Sequence, residues 1–577
     1  MENRTYPEFS SRYPLLLKTF MKRPVDLYPD EIGVVYRNPI TAQYQRFTWL
    51  EWYRRTCQLA NVLKESLGIK PGTSNEPGDR IATLALNTHR HLELYYAVPC
   101  SGAVLHPVNV RLSPEHIVYT ITHAEDKIIF FDDLMLPLIE AIYDYIKDVV
   151  EQFVYMSDNP GLPETRIKNL YAYEELLAKH SSDYDWPYLD EDTSATLCYT
   201  TATTGQPKGA MFSHRALYLQ TLHLIALGSF ANTPEYETIN RRFGENNVAM
   251  INIPMFHIHA WGAPFLCVFG AAKSVLPGMF TVEGFCELVQ TEKVTATALV
   301  PTMVALLLEY KDLNKYDLSS LVNLGVGGGA LPLGLKTKCE AIMPHFRMAS
   351  GYGMTETAPV TVTAFIKKYM VDLPKEEIDE VLVKTGVPIP GLEVQVVDGK
   401  GKPVPKDNET LGEIVMRGPW VMEQYYKNPE QTALVWRNGW FHTGDLAKVD
   451  EHGFITIGDR QSDVIRSGSE MIPTVLLENL ICLADFVLEA TVIGVPDPVW
   501  GECPMAIIKL APGCSHREND IIEFLQIHGV EKGKITKWML PKLIAFSDDI
   551  PKTSVGKYNK REIKKQLDKF LALAREV

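Results

Sequence analysis

The residues most suited to chemistry form a glycine- and threonine-rich stretch at positions 199–209, with the sequence YTTATTGQPKG. It follows a β-like apolar run and is predicted to be the loop after a strand. Small residues let backbone N–H groups approach phosphate oxygens, while hydroxyls and the Lys208 ammonium add donors and positive charge. The stretch therefore predicts a polyphosphate-binding loop. Its candidate residues are Thr200, Thr201, Thr203, Thr204, Gly205 and Lys208.

The ending of this stretch separates it from other loops. It is not a Walker A loop, because that motif continues from Gly-Lys to Ser or Thr, whereas Gly209 follows Lys208 here. The ordered TGxPKG ending disfavours a plain polar surface loop. The stretch resembles the phosphate-binding signature of the adenylate-forming superfamily: acyl-CoA synthetases, peptide-synthetase adenylation domains and luciferase. Thr201 replaces the usual Ser, and Ala202 replaces the usual Gly, where a Cβ restricts any positive φ.

A histidine motif follows at positions 255–262, MFHIHAWG. A lone histidine is more often a core residue than a catalytic one. The resemblance nevertheless implies that His257 lines the carboxylate and AMP site, and that Trp261 and Gly262 border the acid pocket. The motif is similar to that of the branch that activates medium-chain fatty acids and methylthioalkanoates.

Two further motifs resemble the family's adenine- and phosphate-facing segments. In positions 326–332, VGGGALP, the resemblance places Gly328, Gly329 and Ala330 near adenine, and Val326 and Gly327 at the acid pocket. The segment at positions 350–356, SGYGMTE, resembles the next motif of the family. The resemblance implies that Tyr352 stacks on adenine and that Thr355 binds the α-phosphate. It also implies that Glu356, together with Thr200, holds Mg²⁺, and that the nucleotide is lined by Ser350, Gly351 and Gly353.

The segment from 440 to 470 resembles the family's ribose site and hinge. Asp445 in WFHTGD and Arg460 in GDR would bind the ribose hydroxyls. Ser462 occupies the hinge position. Beyond it, the resemblance assigns the backbone of the pantetheine tunnel, where Ser469 departs from the usual Gly. The residues given to coenzyme A there are Arg466, Gly468, Ser469 and Glu470.

The last motif, IPKTSVGK at positions 550–557, resembles the C-terminal segment that carries the family's adenylation lysine. Isolated lysines are usually solvated surface groups, but this context predicts that Lys557 is catalytic, together with His257, Thr355 and Glu356. The implied reaction joins a carboxylic acid to ATP as acyl-AMP. Coenzyme A then takes the acyl group, with AMP and pyrophosphate as the other products.

Three interpretations stay open. The first is an AMP-forming acid–CoA ligase for a medium-chain, small branched, cyclic or thioether acid. The second is an adenylating enzyme that passes the acyl group to another acceptor, a carrier-protein thiol or O₂. The third is a catalytically silent nucleotide-binding homologue, which the retention of Glu356, Asp445, Arg460 and Lys557 disfavours.

The elements around these motifs predict an α/β protein. Apolar β-like runs at 80–86, 127–131 and 248–253 alternate with helical stretches, which indicates a substantial parallel sheet. Short strands between 394 and 457 are separated by Gly, Pro and Asp, which is closer to a barrel-like antiparallel subdomain. We expect a large N-terminal domain of stacked, mostly parallel sheets over 1–460. A small, mobile α+β lid would follow over 461–577.

The composition of the chain restricts the class of protein and the cellular compartment that we expect. With 577 residues, 46% of them hydrophobic and 22% charged, the chain is globular rather than disordered, collagen-like or coiled-coil. A net charge of −14 disfavours a broad nucleic-acid footprint. Nine cysteines without a CxxC pair predict neither disulfides nor zinc. No signal peptide, membrane span or Ser-Lys-Leu peroxisomal address is found, so we expect a cytoplasmic protein, and a homodimer stays open.

Overall fold

Four β-sheets organise the part of the chain that the structure describes. This computed structural model describes residues 13–200, 206–230, 243–460, 463–467, 470–553 and 556–577. Its sheets have nine, seven, five and six strands. The first two are mostly parallel and the last two mostly antiparallel. The predicted change along the chain, from mostly parallel strands to mostly antiparallel strands, is therefore present in the fold.

The nine-stranded sheet is parallel in its centre and antiparallel at both edges. Its central parallel strands are rich in apolar residues, as expected when helices cover both faces. In spatial order the strands are β16 (Val387–Pro388), β15 (Val360–Thr363), β14 (Arg347–Gly353), β13 (Asn323–Val326), β12 (Ala296–Leu299), β10 (Val248–Met250), β11 (Lys273–Leu276), β1 (Ile32–Arg37) and β2 (Tyr44–Thr48).

The seven-stranded sheet is parallel except at one edge, where the strand leading into the phosphate loop pairs antiparallel with the strand leaving it. In spatial order its strands are β7 (Leu170–Ala172), β6 (Gln152–Met156), β5 (Asp126–Asp132), β3 (Arg80–Leu84), β4 (Val104–Pro107), β8 (Ser194–Tyr199) and β9 (Gly209–Ser213). The loop therefore spans a hairpin between β8 and β9.

Helices cover both sheets, and some of them begin at side-chain caps. Thr48 and Glu51 form a capping box, and Ser113 precedes a proline at the first turn of its helix. The helices are α1 (Lys18–Leu27), α2 (Trp49–Asn61), α3 (His89–Cys100), α4 (Pro114–Ala124), α5 (Leu136–Ile146), α6 (Tyr173–Ala178), α7 (His214–Phe230), α8 (Ala263–Gly270), α9 (Val282–Glu292), α10 (Pro301–Glu309), α11 (Leu333–Ile342) and α12 (Lys375–Val383).

Helix α3 lies between the two large sheets. It contacts β1 of one sheet and both β4 and β8 of the other, and each of its residues is buried. A helix in that position can carry charge only where the charge is paired. Its Glu93 accordingly accepts hydrogen bonds from Arg55 and Tyr173. The two sheets therefore form one body through α3.

An antiparallel sheet follows, in the place where the barrel-like subdomain is expected. Short turns join its last three strands, longer connections precede them, and α13 (Pro429–Val435) packs beside the sheet. The strands are β17 (Glu393–Val397), β18 (Gly412–Arg417), β19 (Trp436–Arg437), β20 (Trp440–Val449) and β21 (Ile455–Arg460).

The remaining residues form a mixed C-terminal body around a six-stranded sheet. Its strands are β22 (Ile465–Ser467), β23 (Glu470–Ile472), β24 (Val487–Asp497), β25 (Gly501–Leu510), β26 (Leu543–Phe546) and β27 (Ala574–Glu576). Its helices are α14 (Thr474–Ile481), α15 (Glu518–Leu525), α16 (Lys560–Lys565) and α17 (Leu567–Leu573). None of the helices in the described ranges has the length and apolar character needed to cross a bilayer.

The fold brings the motifs together at one sheet edge. The parallel neighbours β10, β12, β13 and β14 all end on the same side. Directly after their carboxyl ends come the histidine motif, the start of α10, the glycine turn and the Thr355–Glu356 pair. Crevices at the carboxyl ends of parallel strands are the usual ligand sites of open α/β sheets.

Candidate active site

A cavity of about 190 Å³ lies where the C-terminal body meets this edge. Lys557 and Gly556 reach it from the C-terminal body, and His257, Trp261 and Gly328 line it from the large body. Most of the other walls are apolar. The remaining lining residues are Arg111, Ile253, Pro254, Phe280, Val300, Thr302, Met303 and Leu306.

Contacts between the two bodies fix Lys557 at this cavity. The Thr302 hydroxyl at the start of α10 donates to the Gly556 carbonyl oxygen at 3.2 Å. Lys557 Cε lies 3.5 Å from the point that a Cβ on Gly328 would occupy. The lysine predicted from the C-terminal motif is therefore beside the glycine turn predicted to face adenine.

The backbone after His257 is strained. His259, Ala260 and Trp261 have φ of 55°, 45° and 58°, in the left-handed region that non-glycine residues rarely adopt. Each such residue costs of order 1–3 kcal/mol. The turn carries the indole of Trp261 across the glycine turn, where its Cη2 would lie 3.0 Å from a Cβ on Gly327. A Cβ at Gly327 would therefore be in tight contact with Trp261, and the indole would have to shift slightly.

His257 faces Lys557 as a neutral imidazole. Burial and the neighbouring Lys557 ammonium lower the pKa of His257 to about 3. It therefore carries no charge near neutral pH and can accept or donate a hydrogen bond without adding to the positive charge of Lys557.

Glu356 is buried and has a phenol as its partner. The Tyr425 hydroxyl donates to Glu356 Oε1 at 2.7 Å, and the Glu356 carbonyl accepts from the Met422 amide at 2.8 Å. Burial and the Glu356 carboxylate raise the pKa of Tyr425 above its usual value, so its hydroxyl remains a donor. The carboxylate predicted to hold a metal therefore has a fixed orientation.

The described ends of the phosphate loop approach the same phenol. The Lys208 amide donates to the Thr200 hydroxyl at 3.1 Å, and the Thr200 amide donates to the Lys208 carbonyl at 2.9 Å. Lys208 Nζ lies 5.0 Å from the centroid of the Tyr425 ring, within cation–π range. Tyr425 thus connects the lysine of the loop with Glu356.

The residues predicted for adenine and ribose also meet. The Tyr352 hydroxyl donates to Asp445 Oδ2 at 2.6 Å, although 93 residues separate them. Asp445 lies opposite Arg460 in the pairing of β20 with β21. Ser350 and Gly351 lie on β14 directly before Tyr352.

Part of the predicted set is not at the cavity or not described. Arg466 is exposed on β22, and its amide donates to Glu502 in the C-terminal body. Among the predicted residues that the structure describes, those that line the cavity are His257, Trp261, Gly328 and Lys557. The others do not line it: Thr200, Lys208, Gly262, Val326, Gly327, Gly329, Ala330, Ser350, Gly351, Tyr352, Gly353, Thr355, Glu356 and Asp445. Thr201, Ala202, Thr203, Thr204, Gly205, Ser462, Gly468 and Ser469 lie outside the described residues, as do the side chains of Arg460 and Glu470.

The sequence reasoning missed two side chains. Arg111 follows β4 and lines the cavity, with Cζ 5.9 Å from the Phe256 ring centroid. Tyr425 lies between two strands of the antiparallel sheet and belongs to none of the recognised motifs. The only signal for Arg111 was a charge at the end of an apolar strand, and for Tyr425 there was none.

Gly353 shows why the SGYGMTE motif contains its second glycine. A Cβ there would lie 1.8 Å from the Pro359 carbonyl oxygen and 2.5 Å from its carbon. Backbone atoms cannot move away cheaply, so we expect Gly353→Ala to lower the free energy of unfolding by about 2–4 kcal/mol. The measurement is thermal and denaturant unfolding of the purified variant.

The matched control for that substitution is Gly351→Ala in the same strand. A Cβ on Gly351 would lie 3.6 Å from the nearest atom, the Val362 carbonyl oxygen, which is an ordinary contact. Equal stability of the two variants would contradict the packing argument.

Fold and site together define an adenylate-forming enzyme: stacked parallel sheets, an acidic and a phenolic group at one edge, and a second body that supplies a lysine. The AMP-binding enzyme family model matches residues 21–426, and the model of that family's C-terminal domain matches residues 476–557. The chain therefore belongs to the AMP-binding enzymes, and its relatives place it among the acyl-CoA ligases.

Full-length relatives support this placement. The chain is 39% identical over 532 residues to a long-chain-fatty-acid–CoA ligase of Thermus thermophilus, covering 92% of each chain. It is 37% identical over 497 residues to a 3-methylmercaptopropionyl-CoA ligase of Ruegeria lacuscaerulensis, covering 85% of this chain and 87% of the relative. Among solved structures, ATP-bound MatB from Rhodopseudomonas palustris has a TM-score of 0.77 at 26% identity, covering 95% of this chain and 98% of MatB.

Proposed function

We propose that this chain joins a carboxylic acid to ATP as acyl-AMP and then transfers the acyl group to coenzyme A. The observation that carries the proposal is the position of Lys557, which reaches the same cavity as His257, Trp261 and Gly328. The C-terminal body supplies a cation, and the large body supplies a neutral histidine and a glycine turn beside it. This arrangement suits a reaction in which oxygens gain negative charge, because the cation can stabilise that charge.

In the first half-reaction a carboxylate oxygen attacks the α-phosphorus of ATP. The new P–O bond forms as the bond to the β-phosphate bridge breaks, and pyrophosphate leaves. Negative charge gathers on phosphoryl and leaving oxygens, so fixed cations and donors lower the barrier. Lys557 would supply the cation, while Thr355, Thr200 and Lys208 would supply donors to the phosphates. The neutral His257 would orient the carboxylate.

The donor set at Glu356 fits Mg²⁺. This ion prefers oxygen ligands and usually takes only one or two carboxylates plus phosphate oxygens and water. Glu356 is one such carboxylate, and the Thr200 hydroxyl oxygen lies on the adjacent loop. Within the described ranges no group of three or more His, Cys, Asp or Glu side chains forms an all-protein cage. When bound, Mg²⁺ would neutralise charge on the phosphates, and Tyr425 would hold Glu356 in place for it.

In the second half-reaction the thiol of coenzyme A attacks the acyl carbon. The C–S bond forms, the C–O bond to AMP breaks, and the thiol proton is lost to solvent. We propose that a body of residues 461–577 rotates against residues 1–460 about Ser462 between the two halves. Lys557 would then leave the cavity, and the segment from Arg466 to Glu470 would approach the thiol. Arg466 is exposed in the arrangement described here. It is therefore available for a role in the rotated arrangement proposed for the second half-reaction.

The acid itself is proposed as medium-chain, small branched, cyclic or thioether. Trp261 contacts the turn at Gly327 and Gly328 and bounds the space next to the reacting centre. The apolar side chains around it would exclude water from a reactive acyl-AMP. Of the two named relatives, the 3-methylmercaptopropionyl-CoA ligase is named for a thioether acid inside this range, whereas the long-chain-fatty-acid–CoA ligase is named for acids longer than those proposed here.

The test is a panel of acids in an ATP-dependent AMP-release assay, run with and without coenzyme A. The proposal expects AMP and thioester together, and only with coenzyme A does release become multiple-turnover. AMP without thioester would favour the alternative adenylating enzyme with another acceptor. No acid-dependent AMP with any acid would favour a silent homologue.

A further inference from the structure

A buried carboxylate contacts residues on both sides of Lys557 in the chain and belongs to none of the recognised motifs. Glu489 on β24 is 5% exposed. Its Oε2 lies 2.7 Å from Lys552 Nζ and accepts a hydrogen bond from the Tyr558 hydroxyl at 3.3 Å. Lys552 and Tyr558 flank Lys557 in the chain, on the two sides of a tight turn. A buried carboxylate with these two donors therefore holds both sides of the turn.

This turn, the Lys557 hairpin, is defined by Lys552, Thr553, Gly556, Lys557 and Tyr558. Lys552 and Tyr558 pair as an isolated antiparallel bridge. Inside it, the Thr553 amide donates to the Lys557 carbonyl at 2.6 Å, and the Lys557 amide donates to the Thr553 hydroxyl at 3.2 Å. Glu489 therefore contacts both residues of the bridge that closes the hairpin.

One lysine extends this arrangement to the large body. Lys509 lies opposite Glu489 in the β24–β25 pairing, with Nζ 3.9 Å from Glu489 Oε1. The same Nζ lies 2.8 Å from Glu309 Oε1, at the last residue of α10. Both members of the Glu309–Lys509 pair are only about a quarter exposed or less. Two buried or half-buried carboxylates, one from each body, therefore share Lys509.

Helix α10 contacts the C-terminal body at both of its ends. Thr302 near its start donates to the Gly556 carbonyl, and Glu309 at its end pairs with Lys509. At 1.5 Å per residue these points are roughly 10 Å apart along the helix axis. Two separated contacts restrict both the distance between α10 and the C-terminal body and the rotation of that body relative to α10. A single contact would restrict only the distance.

We propose that Glu489, Lys509 and Glu309 are positioning residues for Lys557: Glu489 fixes the hairpin, and the Glu309–Lys509 pair fixes that unit on α10 only while the two bodies have this arrangement. The proposal rests on the proposed function of Lys557 in adenylation. It predicts an effect confined to the first half-reaction, because the Glu309–Lys509 contact joins two bodies that would separate before the second.

The primary test is Glu309→Gln, assayed in the two half-reactions separately. We expect the kcat of acid-dependent pyrophosphate exchange to fall about three- to fivefold, the range for one partly exposed ion pair. The KM for the acid and the thioester formation from supplied acyl-AMP should stay unchanged. Glu489→Gln should have the larger effect of the two on exchange. Equal losses in both half-reactions, or no loss in exchange, would overturn the proposal.

A second variant acts on the same arrangement without touching any of these ion pairs. A Cβ on Gly334 in α11 would lie 2.1 Å from the Cys482 carbonyl oxygen in the C-terminal body. Gly334→Ala should therefore push the bodies apart and slow pyrophosphate exchange while sparing thioester formation. This variant keeps the test decisive if Glu489→Gln does not fold.

The matched control is Glu380→Gln. Glu380 on α12 also pairs with the C-terminal body, through Lys534 at 3.8 Å, but its side chain is 57% exposed and pairs with none of the described residues of the hairpin. Exchange should remain within about twofold of the unsubstituted chain, as surface pairs contribute little. A loss equal to that of Glu309→Gln would overturn the specific role of α10.

A readout without turnover separates this proposal from the proposed function. Hydrogen exchange of the Thr553, Gly556 and Lys557 amides in the full chain should accelerate in Glu309→Gln and Glu489→Gln, and not in Glu380→Gln. If the chain catalyses no pyrophosphate exchange at all but these amides respond as expected, the function fails and the positioning stands. Unchanged amide exchange in both variants overturns the positioning.

Discussion

Lys557→Ala is expected to abolish most acid-dependent pyrophosphate exchange while leaving the conversion of supplied acyl-AMP to thioester nearly intact. The ammonium reaches a cavity with apolar walls, beside the neutral His257 and the Gly328 backbone. Among the described residues that line this cavity, Arg111 is the other cation that could meet charge developing there during phosphoryl transfer. Loss of one preorganised group of this kind typically costs about 10²–10³-fold in kcat.

The measurement is ³²P-pyrophosphate exchange with a fixed acid, beside a thioester assay that starts from synthetic acyl-AMP. Lys564→Ala is the control, because Lys564 is an exposed lysine on α16, only seven positions further along the chain. That control should retain full exchange. Near-normal exchange in Lys557→Ala would show that another group supplies the cation, and equal loss in both assays would indicate a structural defect.

The order of motifs made the gathering of distant residues predictable. Tyr352, Glu356 and Asp445 were assigned to one nucleotide site by resemblance, and the structure brings Tyr352 and Asp445 into hydrogen-bond contact. The α/β alternation also predicted parallel strands, but of those whose carboxyl ends face the candidate site it located only β10. Both depend on local patterns, either residue spacing within a motif or apolar periodicity within a strand.

Other features could not be read from the sequence because they depend on tertiary context. Nothing in HIHAWG indicates that three consecutive residues, His259 to Trp261, adopt left-handed backbone, since histidine is enriched there but alanine and tryptophan are not. Tyr425 meets Glu356 across 69 residues. Lys509 meets Glu309 across 200 residues. Such contacts follow from how sheets and bodies pack, which a single chain's periodicity does not encode.

Substitutions at Glu356 and at its partner Tyr425 are expected to reduce pyrophosphate exchange to different extents. Removing the carboxylate in Glu356→Gln should reduce pyrophosphate exchange by about 10²-fold or more, because charge stabilisation at the phosphates is lost. Tyr425→Phe removes only the hydroxyl that orients the carboxylate and keeps the ring beneath Lys208. A hydrogen bond to a charged group contributes about 1.5–3 kcal/mol, so we expect a loss of about 10-fold or somewhat more.

The two substitutions should also differ in their dependence on the ion. If Glu356 holds Mg²⁺ and Tyr425 orients Glu356, both variants need more Mg²⁺ for half-maximal exchange, and Glu356→Gln needs the most. Direct binding of Mn²⁺ in the presence of ATP, followed by electron paramagnetic resonance, should weaken in the same order. Tyr426→Phe is the matched control, because that neighbouring ring packs against His123 and not against Glu356.

If Tyr425→Phe lowered exchange with an unchanged Mn²⁺ affinity, its hydroxyl would act on the fold of the loop rather than on the metal carboxylate. If neither variant changed Mn²⁺ affinity, the metal would be held by the phosphates alone, and Glu356 would need another role.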